Sequence, residues 1–73
     1  MNETVKNLVQ EVLTQCADTV NYEMSLCDSP LDLVEAVDNI LDYYEPSNAE
    51  EFYKYDDFVR CQLISTLMKM LNK

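Results

Sequence analysis

Apolar residues recur at helical spacing along the whole chain and divide it into three segments. In the first, from about Glu3 to about Met24, Val5, Leu8, Val9, Val12, Leu13, Cys16, Ala17 and Val20 follow one another at three- and four-residue steps. That spacing places them on one face of a helix. Asn2 fits an N-cap, and Glu3 in the first turn suits the helix dipole. Glu11 and Asp18 stand together on the opposite face. Glu23 would turn back onto the apolar stripe, so the helix is expected to end near Asn21 to Met24. In the second segment, Ser29-Pro30-Leu31-Asp32 offers a capping serine, a proline at the first helical position and an acid in capping-box spacing. Leu33, Val34, Val37, Ile40, Leu41 and Tyr44 make the stripe that follows. Pro46 disfavours helical geometry at Glu45 and ends it.

The third segment re-enters helix after Pro46. Ser47 with Glu50 and Asn48 with Glu51 both have capping-box spacing. From Val59 onward the apolar positions cover more than half the wheel, leaving Gln62, Ser65, Thr66, Lys69 and Asn72 as a polar strip. A helix this apolar is central, packed from two sides, or covered by another chain. Asp56 and Arg60 interrupt its apolar arc. Either the helix breaks near Tyr55, with Asp56 or Asp57 capping a new one, or it is continuous and the two form a semi-buried pair. The break is the preferred reading. The fold expected is all-α: a single domain of three helices, or four if the last segment breaks near residues 55–57, with a homodimer contact through Ile64, Leu67, Met68 and Leu71.

Composition narrows the chemistry. The chain has 73 residues and a formal net charge of −9. A domain this small buries only about 60% of its unfolded surface, so its own core is marginal. Glycine is absent, where average usage would give about five residues. That excludes glycine-rich phosphate loops, dinucleotide fingerprints and EF-hand loops. Histidine is absent as well, which removes the commonest general base and transition-metal ligand. Cys16, Cys27 and Cys61 form no CxxC pair. Free thiols without an export signal point to a reducing cytoplasm, and no run is long enough to span a membrane. No metal or cofactor site and no enzymatic activity are expected.

Charge is the sharpest signal. No basic residue lies between Lys6 and Lys54, while Glu11, Asp18, Glu23, Asp28, Asp32, Glu35, Asp38, Asp42, Glu45, Glu50 and Glu51 all fall there. Such a chain projects a negative field that attracts cationic surfaces and repels nucleic acid and anionic membrane. Asp32, Glu35, Asp38, Asp42 and Glu45 form a row on the outer face of the second helix, carboxylates about 5 Å apart over about 20 Å. The row reads either as a solvated face or as a surface for a basic groove; a solvated face ordinarily alternates signs. Tyr43 and Tyr55 sit off the main stripes and suit an interface, whereas Tyr44, Phe52, Tyr53 and Phe58 suit the core.

In size and charge, though in no motif, the chain resembles small acidic proteins of phages and mobile elements that block host defence, some of them DNA mimics. That resemblance implies an inhibitor of anti-CRISPR or anti-restriction type, occupying the nucleic-acid-binding surface of a nuclease, restriction complex or guide-RNA effector. The partner-binding residues expected are Asp32, Glu35, Asp38, Asp42 and Glu45, then Glu11 and Asp18, then Glu50 and Glu51, with Tyr43 and Tyr55. A helical dimeric adaptor whose acidity serves solubility, and an antitoxin-like partner of a basic toxin, are the alternatives.

Overall fold

The computed structural model describes residues 2–71, so Asn72 and Lys73 lie outside the described part. All regular structure in it is helical: α1 (Glu3–Gln15), α2 (Ala17–Leu26), α3 (Asp32–Tyr43) and α4 (Ala49–Leu71). The helix count is four, but the extra break is not where the sequence suggested it. The first segment divides at Cys16, and the last is continuous.

At Cys16 the backbone leaves helical geometry (φ −106°, ψ 27°). Its N–H donates to the Val12 carbonyl at 2.9 Å, and its carbonyl accepts from the Val20 N–H at 2.8 Å. One residue thus ends the first ladder and starts the second. The bend keeps Val5, Leu8, Val9 and Val12 of α1 and Val20 of α2 in a common core. It also lets α1 pack on α4 while α2 packs on α3. Glu11 and Asp18 therefore do not share one continuous helical face.

The entry to α3 uses Asp32 rather than Ser29 as the capping oxygen. Asp32 Oδ2 accepts from the Asp28 N–H (2.9 Å) and the Ser29 N–H (3.2 Å). This is the backward arm of a capping box. Asn48 caps α4, its Oδ1 accepting from the Glu51 N–H at 3.1 Å. Among the described residues no backbone has positive φ; the chain turns at Cys27 and Tyr44 through extended geometry.

The core is assembled from Val5, Leu8, Val9, Val12, Cys16, Val20, Leu33, Val37, Ile40, Tyr44, Phe52, Val59, Leu63 and Leu67. Phe52, Val59, Leu63 and Leu67 define the buried seam of α4 by seven- and four-residue steps, which keep one face inward. Tyr53 and Phe58 fall outside that seam and are 73% and 65% exposed, against the expectation that they are core. On α3 the buried face is rotated: Ala36 is buried and Val34 is exposed. A small side chain at Ala36 lets α3 approach its neighbour closely, which hydrophobicity alone does not reveal. Leu67 is fully buried in the chain's own core, and Ile64, Met68 and Leu71 pack against that core. Leu67 is therefore unavailable as a dimer contact.

The continuous α4 accommodates Arg60 between two acids. Its Nε donates to Asp56 Oδ1 at 3.2 Å, one turn back, and its Nη1 donates to Asp38 Oδ1 of α3. The two acids offset the cost of placing a guanidinium on the flank of the apolar arc. Burial lowers the Arg60 pKa, but the Asp38 hydrogen bond and the charges of Asp56 and Asp38 outweigh it, so the net shift is upward.

Candidate functional site

The acids expected to meet a partner have three different fates. Asp32 is occupied in the turn that opens α3. Asp38, although exposed, is paired with Arg60. Glu35 and Asp42 are exposed on α3, and among the described residues no charged group of opposite sign bridges to either. They lie seven residues apart, about 10 Å along the axis. The continuous row with about 5 Å spacing is thus interrupted at its centre. Asp18, in the first turn of α2, and Glu50 and Glu51, in the first turn of α4, are also exposed. Glu45 presents its side chain to solvent while its backbone is held by Gln15. The Gln15 amide donates to the Glu45 carbonyl (2.8 Å) and accepts from its N–H (2.7 Å).

Glu11 is a clasp within the fold. Its Oε1 accepts from the Tyr44 hydroxyl at 2.5 Å and the Ser47 N–H at 3.1 Å, and its Oε2 accepts from the Ser47 hydroxyl at 2.8 Å. These bonds tie the α3–α4 connection onto α1. The Tyr44 hydrogen bond, followed by those from Ser47, holds the Glu11 pKa below the ordinary carboxylate value. Burial, then the Glu11 carboxylate, pushes the Tyr44 phenol well above its ordinary range. Tyr44 also meets Phe52 edge-on, with ring centroids 5.1 Å apart. Of the two expected interface tyrosines, Tyr43 is 71% exposed. Tyr55 packs against the core, with the Lys54 ammonium 5.5 Å from its ring centroid.

Every charged residue from Ala17 to Tyr43 is an acid. The side of the fold built from α2, α3 and their connection therefore carries no cation of its own, and Arg60 reaches it only at Asp38. Sequence reasoning missed Tyr22, Glu23, Leu26 and Asn39 on this side. Glu23 Oε1 accepts from Asn39 Nδ2 at 3.1 Å, linking α2 to α3. Tyr22 and Leu26 remain exposed although apolar. The signal that would have found them is their four-residue spacing away from the main stripe.

Among the described residues no three Cys, Asp or Glu side chains converge to hold a metal ion. No described helix is long and apolar enough to cross a membrane. The chain has no significant match to any protein-family model, curated protein or solved structure.

Proposed function

We propose that this chain is a binding module that occupies a cationic, nucleic-acid-binding surface of another protein and blocks it, as an inhibitor of anti-defence type would. The observation that carries this reading is the cation-free side made by α2 and α3, with Asp18, Glu35 and Asp42 exposed on it. A field of one sign steers encounter with a basic surface and penalises wrong partners. Carboxylates then take the positions at which lysine and arginine hold phosphates. Because Asp38 is paired and Asp32 is occupied, recognition rests on field and shape more than on copying the phosphate repeat of a duplex.

The test offers the immobilised chain a panel of purified nucleases, restriction complexes and guide-RNA effectors, with and without competing duplex DNA. A target released by DNA, and lost on combining Glu35→Lys with Asp42→Lys, supports the reading. Asp38 is left intact, because a lysine there would face Arg60. A target that DNA does not displace and charge reversal does not weaken refutes it. A basic toxin neutralised in the same way would mark the antitoxin-like alternative.

A further inference from the structure

A groove of about 360 Å³ runs between α2 and α3. Its rim carries two apolar side chains one helical turn apart, Tyr22 at 63% and Leu26 at 58% exposure. Ala36, 2% exposed, and half-buried Cys27 form its floor. Three carboxylates, Glu23, Asp32 and Glu35, line it with Asn39, and among the described residues no lysine or arginine takes part. Burial, then Asp32, Glu23 and Asp28, raises the pKa of the Cys27 thiol in this groove. An apolar seat ringed by charge of a single sign is complementary to one kind of ligand. That ligand carries an apolar side chain flanked by cations.

We propose that the groove receives an amphipathic cationic helix of the partner. One apolar side chain seats between Tyr22 and Leu26, and flanking arginines or lysines meet Glu35 and the second oxygens of Glu23 and Asp32, whose Oε1 and Oδ2 are engaged within the fold. Helix-in-groove recognition uses anchors at three- and four-residue spacing, and exposed Tyr22 and Leu26 on α2 stand four residues apart. An arginine beside Tyr22 also gains from its ring face. The proposal rests on the reading that the partner is basic. It adds that affinity comes from an apolar anchor as well as from charge.

The test titrates a short arginine-rich amphipathic peptide bearing a single tryptophan on its apolar face. The chain contains no tryptophan, so peptide fluorescence reports burial of the anchor alone. Amide shifts are mapped by NMR in parallel. The expected result is a blue-shifted tryptophan and perturbations confined to residues 22–27, 32, 35–36 and 39. Leu26→Ser should weaken binding roughly tenfold, as loss of one well-seated apolar contact does, while Asp57→Lys, a charge reversal on exposed α4 surface outside the groove, has a much smaller effect. Circular dichroism confirms that both variants remain folded. If the peptide binds but the shifts fall on the outer face around Asp38 and Asp42, with Leu26→Ser neutral, the groove is overturned and the acidic-surface reading stands. Absence of binding at low salt also overturns the groove, while the panel experiment independently decides the broader reading.

Discussion

Replacing Glu11 probes the clasp between α1 and the α3–α4 connection. In Glu11→Gln the side chain keeps its shape, and its remaining oxygen can still accept from Tyr44 and the Ser47 N–H; what is lost is the charge. Hydrogen bonds to charged groups contribute about 1.5–3 kcal/mol and neutral ones about 0.5–1.5. Because Ser47 is exposed and can turn to water, the Tyr44 bond dominates, and the expected loss is about 1 kcal/mol. Glu11→Ala also leaves the hydroxyl of a 6%-exposed tyrosine without its partner, for a loss of about 2 kcal/mol. In a domain of this size each kcal/mol moves Tm by about 4–8 °C. Thermal and urea unfolding followed by helical circular dichroism should therefore rank wild type above Gln above Ala.

The clasp also has a pH signature. The Glu11 pKa is lowered in the folded state from an ordinary value of 4.5, so the unfolded chain takes up this proton first as pH falls. The stabilisation is present in full above the unfolded value and disappears as pH drops through the lower folded one. Neutralising the net charge of −9 relieves self-repulsion over the same range. The gap between wild type and Glu11→Gln removes that shared contribution. The gap should be widest near neutral pH and close in acid. A gap that is absent at neutral pH, or unchanged on acidification, would refute the reasoning.

Two further outcomes follow from burial. Leu67→Ala should cost about 2–5 kcal/mol, the range for emptying a buried leucine site. Its urea midpoint should fall without dependence on protein concentration, since Leu67 lies inside the protomer. With a chromogenic disulfide reagent, exposed Cys61 should react first. Cys27 should follow slowly, its pKa raised by burial and then by Asp32, Glu23 and Asp28, and buried Cys16, also raised by burial, should react last, at a rate that increases with urea.

Much of the fold was legible because local signals agreed with one another. Asn2, Pro30, Asp32, Asn48 and Pro46 mark helix ends by chemistry that acts within a few residues, and the stripe of α1 matches its buried seam, whereas α4 buries only part of its wide apolar arc. What was illegible depends on contacts between distant segments. The Cys16 break has no Gly or Pro to announce it; it follows from α1 and α2 having different partners. Arg60 looked like a reason to end a helix until Asp38 of α3 supplied a second acid. Glu11 read as one more surface carboxylate because Tyr44 and Ser47, which occupy it, lie more than thirty positions away. For the candidate site, the bias in charge was plain in the sequence. The groove was not, because it exists only where α3 lies against α2.

The absence of positive φ among the described residues has a consequence for how this protein can change over time. Every corner of the chain lies in backbone geometry open to any residue with a side chain. No junction is held to glycine by steric necessity, so substitutions in the connections meet little backbone veto. Selection on such a chain falls on its core seam, its internal clasp and, under the proposed function, the acidic side of α2 and α3. Loops would drift fastest, and a mutational scan would show constraint concentrated on helix faces.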